Sequence, residues 1–210
     1  CSSDLVVRAC RAVAEVRATD RDVRVPWLGR VDVSDRDAFA ADVEAFGPDL
    51  VVNLAAETDL EHCERHPDRA HAANTLGAVH GGEIARGPDV PYVFISTAGI
   101  FGGEKTVYDD DDAPNPLTVY ARTKLAGERF VTAEVPRHVV LRPGWMMGGG
   151  PDLDKKFVNK VYRQIIDGAD RIHAVTDKLG SPTYTDDFAR GLLVVAGSGA
   201  YGTYNQVCHG

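Results

Sequence analysis

The sequence has little sulfur: two methionines and four cysteines in 210 residues, with no two cysteines in a C-x-x-C pair. Cys1, Cys10, Cys63 and Cys208 are scattered along the chain, which argues against a disulfide framework and against a zinc site built on paired thiolates. Basic tracts are missing as well. With 23 Lys and Arg against 31 Asp and Glu the formal charge is -8, which gives a poor surface for nucleic acid or an anionic membrane. No apolar run approaches the roughly 20 residues that span a bilayer, and the opening "CSSDLVVRAC" lacks the basic and apolar regions of a signal peptide. The expected location is therefore cytoplasmic, with no membrane and no nucleic-acid partner. What remains is a chain 44% hydrophobic and 26% charged, enough apolar material for one globular domain with at most a small appendage.

Periodicity supplies the element order. A helix is predicted over "SSDLVVRACRAVA", with Ser2 or Ser3 as N-cap, followed by a short strand "EVRATD" and a segment "GRVDVSD". A helix over 34–46 follows, with Ser34 as N-cap and Asp37 completing an approximate capping box. "LVVNLAA" (50–56) and "PYVFIST" (91–97) are continuous apolar runs of the kind found in parallel strands covered on both faces. Between them a long helix is expected from Asp68 to Ala85. A loop rich in Gly and Asp leads to a helix containing "LTVYARTKLAGERF" (117–130). "RHVVLRPGW" (137–145) reads as a strand, 154–167 as a helix, and "GTYNQVC" as a terminal strand. Strands alternating with helices at this spacing define an α/β fold, a Rossmann-like doubly wound parallel sheet with right-handed crossovers. Ligands bind such sheets at the carboxyl ends of the strands, which places "NLAAET", "STAGIFGG" and "RPGWMMGGG" along one edge.

Tyr120 and Lys124 lie four residues apart, on one helix face and about 6 Å from each other. A phenol with a pKa of about 10 becomes a more useful proton donor near neutral pH when a cation stands beside it. Two other clusters are less persuasive. "EHCERHPDRAH" offers His62, Cys63, His66 and His71 but no repeated ligand spacing, so no metal is expected. The glycines at 148–150 read as a flexible loop rather than a phosphate cradle, and Asp109 to Asp112 as a solvated loop.

Taken together and in order, "VVNLAA", "VFISTAGIFGG", "VYARTK" and "VLRPGW" closely resemble the extended short-chain dehydrogenase/reductase family. The later "DKLGSPTYTDDFA" is similar to its sugar-nucleotide reductase branch, typified by dTDP-4-dehydrorhamnose reductase. The resemblance covers nearly the whole chain. It implies an NAD(P)-binding Rossmann-like domain over 1–144 and a small, partial substrate-binding region over 145–210 interleaved with it. It also implies reduction of a nucleotide-linked 4-keto sugar, with the nucleotide sugar as partner, and allows a homodimer. On this reading Tyr120 is the proton donor, Lys124 its electrostatic partner and a ligand of the nicotinamide ribose, and Thr97 the hydroxyl that orients the substrate carbonyl. Asn53, Ala55 and Ala56 form the strand end beneath the cofactor, and Asp32 and Val33 contact adenine.

Asp20 would hydrogen-bond the adenosine ribose and favour NAD, whereas Arg21 beside it would accommodate NADP; the balance leans slightly to NAD. Trp145 and Thr183 occupy substrate-side positions, although Trp145 suits packing nearly as well. Arg142 suits either a phosphate or a structural carboxylate. The family's first strand and Gly-x-x-Gly-x-x-Gly turn precede the point where this chain opens at "CSS". The expected fold therefore lacks that strand and turn, and two rivals stay open: a redox-neutral sugar-nucleotide epimerase or dehydratase, and a non-catalytic regulatory subunit of the same fold.

Overall fold

The computed structural model describes residues 2–150, 154, 157–174 and 179–208. Two compact units emerge, one of residues 17–142 and 195–205, the other of residues 1–16, 143–194 and 206–210. The chain opens with α1 (Ser2–Arg11), so Ser3 lies inside the helix. Two short parallel strands follow, β1 (Thr19–Asp20) and β2 (Gly29–Arg30). β1 is much shorter than "EVRATD". Helix α2 (Arg36–Phe46) starts one residue later than expected because Asp35, not Ser34, accepts the Ala38 N–H at 3.1 Å. Ser34 is engaged elsewhere: its N–H and hydroxyl both donate to the Asp32 carboxylate, at 2.9 and 2.7 Å.

The central sheet is built from β3 (Val51–Asn53), then β4 (Tyr92–Ile95), which pairs parallel to it. Between these strands a short helix outside the expected range, α3 (Leu60–Arg65), precedes the expected long one, which runs without interruption through α4 (Pro67–His71), a π-helical turn (Ala72–Leu76) and α5 (Gly77–Arg86). Pro67 fits the first position of α4, where no N–H is required. The wider π turn carries Asn74, whose side chain bonds both backbone groups of Glu57 and the Thr123 hydroxyl. A single-turn 3-10 helix (Ala98–Ile100) follows β4, capped by Thr97.

Helix α6 (Val119–Glu134) opens at Thr118, whose hydroxyl accepts the Ala121 N–H at 3.1 Å. It lies against the π turn so closely that a Cβ at Gly127 would stand 2.7 Å from the Asn74 carbonyl oxygen and 2.8 Å from the Ala78 Cβ. β5 (His138–Pro143) pairs parallel to β4 and completes the strand order β3-β4-β5-β8 with β8 (Gly202–Gln206), a strand near the chain's end. Parallel pairing explains the unbroken apolar runs: Tyr92, Val93, Phe94, Val139, Val140 and Leu141 are all buried. They join Phe39, Ala78, Ala85, Val131 and Val135 in the core.

The run "RHVVLRPGW" does not continue as one strand. It breaks at Gly144, where a Cβ would lie 2.2 Å from the Ser181 carbonyl oxygen, and resumes as β6 (Trp145–Met147). The second unit also holds α7 (Phe157–Ile166), β7 (Pro182–Tyr184), which pairs parallel to β6, and most of α8 (Thr185–Ser198). Residues 155 and 156 of the expected helix over 154–167, and Asp177 and Lys178 of "DKLGSPTYTDDFA", lie outside the described residues. Among the described residues no helix is long and apolar enough to cross a membrane.

Candidate active site

In the first unit the end of β4 meets the start of α6 at Thr97 and Tyr120, and β5 meets the middle of that helix through Arg142 and Glu128. Thr97 leaves β4 with extended backbone (φ -160°), and its hydroxyl accepts the Gly99 N–H at 3.1 Å. Tyr120 stands in the first turn of α6, partly buried, with its phenol close enough to the Thr97 side chain to feel it. The two residues singled out for chemistry are thus neighbours, although 23 positions separate them. Burial pushes the phenol's pKa up, the Thr97 hydroxyl pulls it down, and the Cys63 thiol adds a small upward push. Lys124 is not among these influences, and the net direction is up rather than the lowering expected from a neighbouring cation.

Lys124 is sealed from solvent at 1% exposure. Its ammonium sits 4.1 Å from the centroid of the Phe94 ring. Burial lowers it to about 7, and the Glu128 carboxylate opposes that drop. Glu128, one turn further along α6, receives the Ser96 hydroxyl at 2.5 Å and the Arg142 guanidinium through Nη2 at 2.5 Å and Nε at 3.2 Å. Arg142 Nη1 donates to the Asp110 carbonyl at 2.8 Å. Arg142 is therefore the partner of a structural carboxylate, and the expected phosphate or substrate contact gives way to it: the guanidinium is buried and committed on each side.

The residues expected around the cofactor fall into three groups. Asn53 is buried and holds the sheet to the helices, its amide donating to the Gly77 carbonyl at 3.0 Å and the Tyr92 hydroxyl at 2.9 Å while its oxygen accepts the Ala55 N–H. Ala55 and Ala56 are half-buried small residues just past that strand end. Asp20 is exposed at the end of β1, where its carboxylate accepts the Asp22 N–H, and Arg21 approaches Asp22 at 3.8 Å. Burial pushes the Asp32 carboxyl up, but the two Ser34 hydrogen bonds outweigh it and the net direction is down. Val33 packs against the core, and Gly77 leaves room for its side chain.

Trp145 and Thr183 belong to the second unit. Thr183 is buried and accepts the Gly144 N–H at 3.0 Å, while Trp145 is 47% exposed with its indole over Gly180. The same unit has a cavity of about 420 Å³ lined by Asp4 and Arg8 of α1, Gly149, Gly150, Tyr184 and Asp186. Gly148, Gly149 and Gly150 have φ of 130°, 85° and 81°, a backbone that favours glycine. Two carboxylates around one guanidinium make this a poor phosphate cradle.

Sequence reasoning missed Glu128, Ser96 and Asn74. Glu128 did leave a signal, since it follows Lys124 at the same four-residue interval that ties Lys124 to Tyr120. Cys63, dismissed as a ligand, is buried, and burial, then the carboxylates of Glu57, Asp59 and Glu64, raise its thiol to about 11. His62 lies 3.5 Å from the Glu57 carboxylate, and its ring centroid is 4.5 Å from that of His66 with the planes tilted by 46°. Among the described residues no group of three His, Cys, Asp or Glu could hold a metal ion.

A parallel Rossmann-like sheet, with a strand-end threonine beside a helix-borne tyrosine and a lysine one turn on, defines the architecture of the extended short-chain dehydrogenases and reductases. Comparison with known proteins is more specific: residues 2–210 match the model of the RmlD substrate binding domain, and the chain belongs to that family. It is 38% identical over 170 residues to the dTDP-4-dehydrorhamnose reductase of Mycolicibacterium smegmatis, covering 80% of this chain and 50% of that protein. The crystal structure of dTDP-4-dehydrorhamnose reductase from Yersinia enterocolitica superposes with a TM-score of 0.89 at 33% identity, covering all of this chain and 71% of that one. The enzyme from Bacillus anthracis str. Ames in complex with NADP gives 0.81 at 27% identity over 86% of this chain and 63% of its own. The chain spans 50% to 62% of the length of the first three curated relatives.

Proposed function

We propose that this chain carries the proton-delivering half of an NAD(P)-dependent reductase acting on a nucleotide-linked 4-keto sugar of the dTDP-4-dehydrorhamnose type. The observation that carries the reading is the meeting of Thr97, at the end of β4, with the Tyr120 phenol, and Lys124 one helical turn further along α6. The residues present suit a nicotinamide dinucleotide. Ala55 and Ala56 give a strand end without bulky side chains, Lys124 offers an ammonium to ribose hydroxyls, and Asp20 and Arg21 offer opposite charges to the adenosine ribose. When bound, the dinucleotide supplies a hydride to the carbonyl carbon.

The protein's own task is the proton. Burial keeps the Tyr120 phenol protonated through the neutral range, as a donor to a developing alkoxide must be. The Thr97 hydroxyl, at the same point, steadies charge on that oxygen. Lys124, poised near 7, supplies positive charge when protonated and favours the phenolate left after transfer. Asp20 would favour NAD and Arg21 NADP. Both side chains are exposed at the end of β1, so parallel titrations with NADH and NADPH decide between them.

The test is consumption of NADH or NADPH with dTDP-4-dehydrorhamnose. Tyr120→Phe should cut turnover by about a hundred-fold or more while leaving cofactor binding, read by thermal shift, unchanged. Near-wild-type turnover in that variant would remove Tyr120 from the chemistry. Product formed without net cofactor consumption would point to an epimerase or dehydratase. Cofactor binding with no turnover on any keto-sugar nucleotide, together with a stoichiometric partner enzyme, would favour a regulatory subunit.

A further inference from the structure

Tyr120, Lys124 and Glu128 recur every four residues on α6 and so share one face. The Glu128 carboxylate is the charge that supports Lys124, yet it is already held by Arg142 at 2.5 Å and by the Ser96 hydroxyl at 2.5 Å. Lys124, Glu128 and Arg142 are 1%, 3% and 6% exposed. Two buried cations thus stand near one carboxylate, and only Arg142 is bonded to it. Arginine does not release its proton in proteins, whereas a buried lysine does so readily, so Lys124 is the cation of the two that titrates.

The other groups facing this cluster are few. On α6 there is the Tyr120 phenol, and beyond it the Cys63 thiol of α3. β4 and the residues just after it present Phe94, Ser96 and Thr97, all uncharged, and the π turn presents Asn74 to the neighbouring Thr123. On the far side of Arg142 stand the Asp110 carbonyl and the Asn205 amide oxygen, with the Asp110 carboxylate held by the Asn205 N–H at 2.5 Å.

We propose that Glu128 is a positioning residue whose carboxylate, ion-paired with Arg142 one helical turn from Lys124, sets the charge state of Lys124 and thereby the proton-delivering face of α6. Arg142 is the counterweight: it draws the carboxylate away from the lysine. The proposal rests on the reading of Lys124 as a working member of the site, but the coupling itself is a property of the bare chain and is measured there.

The experiment is a pH titration of the chain labelled with ¹³C-lysine and followed by NMR, the Lys124 signal being assigned by its loss in Lys124→Met. Wild type should titrate near 7. Glu128→Gln should move the midpoint to lower pH by about one unit, and Arg142→Gln should move it to higher pH by a similar amount. Opposite displacements are the signature; a purely structural pair would lower the melting temperature of both variants and leave the Lys124 midpoint where it was. Glu128→Gln strands a buried guanidinium and can unfold the chain. The double variant Glu128→Gln/Arg142→Gln removes both charges together, and its midpoint is expected below that of wild type. An unchanged midpoint in any folded variant overturns the proposal. With the cofactor and keto sugar added, the alkaline limb of turnover should follow the same order. Midpoints that move while that limb stays fixed would uphold the coupling and remove Lys124 from the chemistry.

Discussion

The central sheet and helix α7 treat apolar surface in opposite ways. In the first, β4 and β5 are buried along almost their whole length, and the polar groups among them are paired: Asn53 with Tyr92 and Gly77, Asn74 with Glu57 and Thr123, Glu128 with Ser96 and Arg142. In the second, α7 has no buried residue, and Phe157, Val158, Tyr162, Ile165 and Ile166 are all exposed. Both the sheet and α7 have the hydrophobic periodicity of their element type, but α7 buries none of its residues among the described ones, whereas α8 of the same unit buries Phe188, Ala189 and Leu192. Periodicity specifies an element; burial against a partner is what stabilises it.

This contrast can be tested by substitution. The largest loss is expected at Leu141, wholly buried on an interior strand: Leu141→Ala should cost about 2 to 5 kcal/mol in urea unfolding. Next comes the buried ammonium. The Lys124 pKa of about 7 in the folded chain lies below the ordinary lysine value, so between the two the unfolded chain binds more protons than the folded one. Stability should therefore rise with pH across that interval, and the penalty for burying the charge should be complete below it. Lys124→Met should flatten this rise; an equal slope in both proteins would mean that Lys124 is solvated. Thr118→Ala removes the cap of α6 and should cost about 1 kcal/mol. Smallest of all, Ile165→Ser on α7 should change stability by no more than about 0.5 kcal/mol. A loss comparable to that of Leu141→Ala would show that α7 is covered in solution and would erase the contrast.

Much of the first unit was legible because its signals are local. The apolar runs around Val51 and Tyr92 announce parallel strands, and the interval from Tyr120 to Lys124 announces a shared helix face. What stayed hidden depends on distant partners. Arg142 reads equally well as a phosphate ligand or an ion-pair member until the pairing of β5 with β4 puts it beside Glu128 and Ser96. The N-cap moved from Ser34 to Asp35 because Asp32 captures the serine. The π turn within the long helix lets Asn74 reach two segments at once, Glu57 and Thr123, which no periodicity encodes.

Gly127 extends the reach of that same contact. It lies seven residues from Tyr120 and bears no functional group, yet α6 can lie this close to the Asn74 carbonyl only because position 127 has no side chain. A methyl group there would lift the whole helix, and Tyr120 and Lys124 with it, away from Thr97. The depth at which the phenol meets the strand end is thus calibrated by a missing atom. A survey of inactive variants should find sensitive positions along this helical seam, where nothing touches substrate, as well as at the residues that move the proton.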